Sequence, residues 1–190
     1  MSKIINLFGG PGIGKSSIAA GLTYKLKKDH ITCDNPYEFP KTLAWDENYS
    51  AISDQLYVLA NQHRGIVKSY GKVDYIISDS PILLSLIYKD YYNKERKSSY
   101  PSKLYKSNFD NMILDMHNDY DNINILLKRS EGNHNEKERY QNLEQSMEID
   151  NLIEESLILH NIEYQTVEVG EDTLEKVYNI IKKVLEPSLN

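Results

Sequence analysis

Short apolar runs alternate along this chain with longer segments in which apolar residues recur at every third or fourth position. The first pattern predicts buried strands, and the second predicts amphipathic helices. The predicted strands cover residues 4–8, 30–33, 73–78, 122–127 and 163–169. The predicted helices cover residues 15–29, 41–48, 50–70, 107–118 and 173–185, with one more opened by Ser80-Pro81 and another running through Leu143 to Leu157. Strands that alternate with helices in this way are typical of an open α/β sheet.

The segment 9–16 joins the first predicted strand to the first predicted helix and matches the pattern G-x-x-x-x-G-K-S completely. Its glycines permit positive φ and a close approach of the backbone, so that consecutive N–H groups converge on phosphate oxygens. Lys15 is expected to reach the β- and γ-phosphates, and the Ser16 hydroxyl is expected to bind Mg²⁺. The pattern therefore predicts a site for ATP and Mg²⁺, the alternative being a glycine-rich turn without a ligand. The predicted nucleotide-binding residues are Gly10, Pro11, Gly12, Ile13, Gly14, Lys15, Ser16 and Ser17.

Two acidic residues follow predicted strands. Asp79 ends the apolar run 73–78, where a carboxylate can hold a metal-bound water beside a phosphate loop. We therefore predict that Asp79 takes part in the magnesium site, although it could simply cap the next helix. Glu38 lies in the loop 34–40, which two prolines keep irregular. Such a loop at the carboxyl end of a strand is where an open α/β sheet binds a second ligand, although Glu38 could also be an exposed loop acid.

A polar segment at about 129–142 precedes the helix that runs through Leu143. In a phosphotransferase such a segment can fold over the nucleotide as a lid, exclude water and bring arginines onto the transferring phosphoryl group. Arg129 and Arg139 are the candidates for this catalytic role, and an ordinary surface ion pair is the alternative for each. His134 in the same segment is expected to be a solvated residue rather than a catalytic base.

Composition narrows the class of protein. The 190 residues predict one domain over 1–190, no apolar stretch approaches the roughly 20 residues of a membrane span, and the first strand leaves no room for a signal peptide. Cys33 is the single cysteine, so an intramolecular disulfide is excluded and a cytoplasmic location fits best. The formal charge of −6 argues against sequence-independent nucleic-acid binding over the whole surface. Residues 94–106, however, contain five basic residues, one acid and two tyrosines, a pattern that suits either single-stranded nucleic acid or a solvated loop.

Four sequence motifs indicate a family: residues 8–16, 54–57 with 62–64, 78–81, and 126–129 with 139–141. Together they resemble the P-loop kinase domain of NadR-like proteins, and bacteriophage-encoded ATPase/kinase proteins are similar too. The resemblance covers nearly the whole chain. It implies a P-loop kinase fold, with a five-stranded parallel sheet in the order 2-3-1-4-5, helices on both faces and an arginine-bearing lid.

The resemblance also implies roles for three residues. Glu38 falls where such kinases place a carboxylate that accepts a proton from the attacking hydroxyl or orients it. Gln62 and Arg64 fall where such kinases hold the substrate. Pro40 departs from the family pattern, in which a small or aromatic residue and a basic residue follow the glutamate.

These features favour a kinase that transfers the γ-phosphoryl group of ATP to a nucleoside-like or nucleotide acceptor. The same resemblance allows a DNA kinase that phosphorylates a modified base such as 5-hydroxymethyluracil, and the basic segment 94–106 favours that alternative. A hypothesis of another class is an ATP-hydrolysing regulatory switch, in which Glu38 and Asp79 position water. Turnover of ATP without an acceptor would distinguish the switch, and a steep salt dependence of binding would distinguish a DNA substrate.

Overall fold

The computed structural model describes residues 1–95, 103–129 and 142–185. Its strands are β1 (Lys3–Phe8), β2 (Cys33–Asp34), β3 (Tyr75–Ser78), β4 (Asp121–Lys128) and β5 (Gln165–Glu168). Its helices are α1 (Lys15–Lys28), α2 (Phe39–Trp45), α3 (Tyr49–Ser53), α4 (Gln55–Ser69), α5 (Leu84–Glu95), α6 (Lys103–Asn118), α7 (Leu143–Leu159) and α8 (Thr173–Leu185). Each predicted strand overlaps an observed one, although β2 shares only Cys33 with the predicted strand 30–33. The predicted helices are present, but α2 and α6 begin a few residues earlier than expected, and there are two larger differences.

The predicted helix 50–70 is wrong in one respect, because it is two helices, α3 and α4. The break lies at Asp54, whose side chain accepts a hydrogen bond of 3.1 Å from the Tyr57 N–H and so begins a new helix. The Asn48 side chain begins α3 in the same way, through the Ala51 N–H at 3.2 Å. Short polar side chains compete with the helix for backbone donors, and apolar spacing does not record this competition. The second difference is at α5, which begins at Leu84 rather than at Ser80.

The sheet is wholly parallel, with the strand order β2-β3-β1-β4-β5. The expected fold class and strand order are therefore confirmed. β1 lies at the centre, where Asn6 is in register with Ser78 of β3 and with Asn124 of β4. Because parallel strands present their carboxyl ends at one edge, the segments that follow β1, β3 and β4 lie side by side there.

Alternate side chains of β1 belong to two separate cores. Ile4 and Phe8 pack in the core on one face of the sheet, beneath helices that include α4, α5 and α7. Ile5 and Leu7 pack in the core on the other face, beneath α1 and α8. Burial on both faces explains why β1 is a continuous apolar run broken only by Asn6, whose amide donates to Asn122 and Asn124 at 2.9 Å each. None of the helices in the described ranges is both long enough and apolar enough to cross a membrane.

His117, near the end of α6, makes stability depend on pH. Its side chain is buried, and burial lowers its pKa to about 4 because the interior disfavours the imidazolium. The unfolded chain takes up this proton near pH 6.5, so the stabilisation is fully present above that pH and is lost as the pH falls towards 4. We expect this group to lower the free energy of unfolding by about 3 kcal/mol over that range. Urea titrations at a series of pH values measure it.

His117→Gln should flatten this pH dependence, and the same substitution at the exposed His30 serves as the comparison. Burial also lowers the pKa of His63, so a smaller loss in the same direction will remain in the His117 variant. An identical slope for the wild type and His117→Gln would contradict the assignment.

Candidate functional site

The backbone of the glycine-rich loop has the conformation that the motif requires. Gly12 and Gly14 have φ values of 77° and 98°, in the left-handed region where an L-residue is strained. Gly14 is also the N-cap of α1, so the loop leads directly into the first turn of that helix. The N–H groups of this first turn have no partners within the helix, and they point towards the end of the helix that favours anions. The loop therefore has the backbone conformation that is typical of an anion-binding site.

Lys15, the first residue of α1, folds back over the loop. Its ammonium group donates to the carbonyl oxygen of Gly9 at 2.7 Å and to that of Gly10 at 3.0 Å. Its side chain also lines a cavity of about 120 Å³ that opens beside the loop. The lysine thus places a positive charge where the loop meets the cavity.

The cavity brings together residues from four parts of the chain. Its walls come from the loop, from the segment that precedes α2, from α2 to α4, and from the start of α5. Apolar and aromatic side chains form much of the lining, and they include Ala44, Trp45, Ile52, Val58, Leu84, Tyr88 and Tyr92. The polar lining residues include Lys15, Glu38, Lys41, Gln55, Gln62, Ser80 and Ser85. An apolar pocket with a few convergent polar groups is the usual form of a small-molecule site.

Glu38 lies in the wall of this cavity, at the N-cap position of α2. Its side chain makes no capping hydrogen bond to the helix. Pro40, the departure from the family pattern, is the second residue of α2, where a missing N–H removes no helical hydrogen bond. The proline is therefore compatible with a helix that starts directly after the glutamate.

Gln62 projects from α4 into the same cavity and is 8% exposed. Its Nε2 is buried without a hydrogen-bond partner. Gln55, also on the lining, differs because its Nε2 donates to the Ile52 carbonyl at 2.7 Å. Arg64 is exposed on α4 and is not among the described residues that line the cavity. Of the three residues expected to bind substrate, Glu38 and Gln62 line the cavity and Arg64 does not.

Gln62→Leu should raise the free energy of unfolding by about 1 kcal/mol, because a buried donor without a partner costs about 1–3 kcal/mol. Gln55→Leu is the matched comparison and should lower stability, since it removes a satisfied donor from the same cavity. Chemical denaturation of the three proteins measures both changes. A loss of stability in Gln62→Leu as large as that in Gln55→Leu would show that the Gln62 amide is satisfied.

Asp79 directly follows β3 and is 5% exposed. Within the described ranges no donor is found for its carboxylate. β3 is paired with β1, so Asp79 and the loop with Ser16 lie at the same edge of the sheet. A buried carboxylate and a hydroxyl at this edge are the oxygen donors that Mg²⁺ prefers, so both residues suit the predicted metal.

Sequence reasoning missed Tyr88, whose side chain lines the cavity and packs against the ring of Tyr92 with centroids 5.9 Å apart. Burial raises the pKa of the Tyr88 hydroxyl strongly, and the negative charges of Glu38 and Asp150 raise it further. Tyr88 therefore stays protonated, as a neutral hydrogen-bond donor. In the sequence Tyr88 fits the apolar pattern of α5, and its hydroxyl group is the only signal that it could bind a ligand.

Arg129, the residue after β4, reaches the loop together with a residue that the sequence did not single out. Its Nε donates to Asp150 Oδ2 at 2.9 Å, and its NH2 group donates to the Pro11 carbonyl at 2.9 Å. Asp150 lies on α7, and its other oxygen accepts from the Gly10 N–H at 2.5 Å. Arg139, most of the predicted lid at 129–142 and most of the basic segment 94–106 lie outside the described residues.

The central strand β1 leads through a glycine-rich loop into the N-terminus of α1, and a buried acid follows the neighbouring strand β3. This arrangement defines the chain as a P-loop protein. The model of the AAA_28 family, described as an AAA domain, matches residues 4–176. The chain belongs to this family. Comparison with curated protein sequences finds no match.

Solved structures show the same fold. The chain is similar to NadR protein in complex with NR, with a TM-score of 0.67 and 10% identity over 100% of this chain and 52% of the other, so it spans about half the length of that protein. It is also similar to deoxyadenosine kinase from M. mycoides with bound dATP, with a TM-score of 0.62 and 15% identity over 96% of this chain and 98% of the other. The same kinase with bound dCTP gives a TM-score of 0.59 and 14% identity.

Proposed function

We propose that the protein is an ATP-dependent phosphotransferase whose acceptor is a nucleoside-like small molecule. The observation that supports this most directly is that Lys15, Glu38 and Gln62 line one and the same cavity. One end of that cavity is the formed phosphate loop. The rest of the lining contains the Glu38 carboxylate and the buried Gln62 amide, whose Nε2 has no hydrogen-bond partner. A second ligand beside the nucleotide could form hydrogen bonds with both groups.

Phosphoryl transfer depends on positioning and on neutralising charge, and the chain's own groups can supply both. The loop N–H groups and the Lys15 ammonium would hold the β- and γ-phosphates. Mg²⁺, when bound through Ser16 and a water held by Asp79, would neutralise the phosphate oxygens. Glu38 would orient the acceptor hydroxyl and take its proton. A contact from Arg139 to the transferring phosphoryl group is part of the same proposal.

The lining of the cavity favours a planar, partly apolar acceptor. The rings of Trp45, Tyr88 and Tyr92 offer apolar faces, and the Gln62 amide offers a donor that a ring nitrogen or a carbonyl of a base could satisfy. Two of the similar structures support the same class, since one is described as a deoxyadenosine kinase and the other as NadR in complex with NR. Arg64, which the family resemblance placed at the substrate, would contact an acceptor only outside the cavity described here.

The function is tested by incubating the protein with γ-labelled ATP, Mg²⁺ and a panel of nucleosides, nucleoside monophosphates and hydroxymethylated DNA. We expect label to appear on a nucleoside or nucleotide. For that acceptor, Gln62→Leu should raise KM about tenfold while the KM for ATP stays the same.

Other outcomes of the panel would identify a different function. Label on DNA, with a steep salt dependence, would identify a modified-base kinase instead. ATP turnover that no acceptor accelerates would identify a regulatory switch.

A further inference from the structure

Asp150 and Arg129 form an ion pair on the outer side of the phosphate loop. The pair is well shielded from solvent, since 9% of the arginine side chain and 20% of the aspartate side chain are exposed. The carboxylate uses one oxygen for Arg129 and the other for the Gly10 N–H, while the guanidinium also donates to the Pro11 carbonyl. Each partner therefore contacts the other and the loop backbone at the same time.

α7 also packs directly against this part of the loop. A Cβ added to Gly10 would lie 2.6 Å from Asp150 Oδ1 and 2.6 Å from the Ser146 carbonyl oxygen. No side chain fits at Gly10 unless α7 moves. The contact between α7 and the loop is thus tight as well as hydrogen-bonded.

The charged contacts divide the loop into two parts. Cations hold three consecutive carbonyl groups, with Lys15 on Gly9 and Gly10 and Arg129 on Pro11. Asp150 holds the N–H of Gly10, at the start of the loop. The N–H groups at the other end, where α1 begins, are those suited to phosphate. The pair therefore contacts the loop at Gly10 and Pro11, before the N–H groups at the start of α1.

We propose that Asp150 is a positioning residue that, through Gly10 and Arg129, keeps the phosphate loop in its anion-binding conformation. Arg129 then acts on the loop through its backbone, rather than only as a direct contact to the transferring phosphoryl group. The positioning role of Asp150 extends the proposed function. Its main consequence is a higher affinity for ATP, which does not depend on whether any acceptor is phosphorylated.

Two effects of Asp150→Asn oppose each other, and the test separates them. The variant loosens the loop, which weakens ATP binding. It also removes the negative charge of Asp150 from beside Arg129, so the guanidinium attracts the triphosphate more strongly over several ångströms. The double variant Arg129→Gln/Asp150→Asn keeps the net charge of the pair at zero, so no uncompensated positive charge contributes to its ATP affinity. Measurement in about 0.3 M salt suppresses the long-range attraction in the single variant.

The chain offers a matched control on the same two elements. Lys128 of β4 and Glu154 of α7 form an ion pair of 2.7 Å, one residue before Arg129 and one helical turn after Asp150. Within the described part of the chain, neither side chain forms a hydrogen bond with the phosphate loop. Glu154→Gln therefore removes a more exposed ion pair between the same two elements and should leave ATP affinity unchanged.

Calorimetry with MgATP is expected to show binding about 10- to 100-fold weaker for Asp150→Asn and for the double variant, with the control equal to wild type. The double variant should lose no more than the single variant, since the two side chains act as one unit. Wild-type affinity in both Asp150 variants, or an equal loss in Glu154→Gln, would overturn the proposal. If the wild type binds MgATP but labels no acceptor, the proposed function fails while this test remains valid.

Amide NMR of the full wild-type chain provides a measurement that needs no variant. The Gly10 amide should be protected from hydrogen exchange both with and without MgADP, because its partner is a protein carboxylate and not the nucleotide. Rapid exchange in the absence of nucleotide would overturn the proposal even if Asp150→Asn did not fold.

Discussion

Lys15→Ala is expected to reduce phosphoryl transfer at least about 10³-fold while the fold stays intact. The ammonium group is the only cation on the described lining of the cavity that also belongs to the phosphate loop. Removing it takes away the charged donor that would neutralise the developing charge on the transferring group, and leaves only the loop N–H groups. The rate with saturating ATP and the best acceptor of the panel, together with the thermal midpoint of unfolding, measures the effect.

A fair control for this variant is Lys25→Ala on the same helix. Lys25 forms an ion pair of 2.6 Å with Glu175 and lies over the Tyr178 ring, far along α1 from the loop. It should cost some stability and no activity. A folded Lys15→Ala protein that keeps its activity would rule out the assignment of the loop as the nucleotide site.

Glu38→Gln is expected to lower kcat by roughly 10²-fold or more, with little change in the KM for ATP. Glutamine has nearly the same shape but cannot accept a proton from the acceptor hydroxyl. Because the Glu38 side chain makes no capping hydrogen bond to α2, the substitution should not disturb that helix. Steady-state kinetics with both substrates varied separates the effect on kcat from effects on binding.

Glu47→Gln provides the comparison, since Glu47 is an exposed acid shortly after α2 and does not line the cavity. It should behave as the wild type. If the kcat of Glu38→Gln also stayed near the wild-type value, Glu38 would have no part in proton transfer, and the cavity would bind its acceptor without that carboxylate.

The sequence determined the phosphate loop and the sheet that presents it. The loop depends on residues 9–16, which are contiguous, so local backbone geometry is enough to predict it. The buried strands were also predictable, because a strand covered on both faces is a continuous apolar run. The positions of Glu38 and Asp79 could be predicted because acids that follow strands of a parallel sheet come to one edge, whereas their roles stay predictions.

Tertiary structure alone decided the rest of the site. Gln62 and Arg64 are two positions apart on one helix, and only the packing of α4 turned the first into the cavity and the second towards solvent. Asp150 lies 140 residues from Gly10, and no spacing in the sequence records that contact. Local patterns fix which elements form, but the faces they bury, and the distant groups they bring together, follow from how those elements pack.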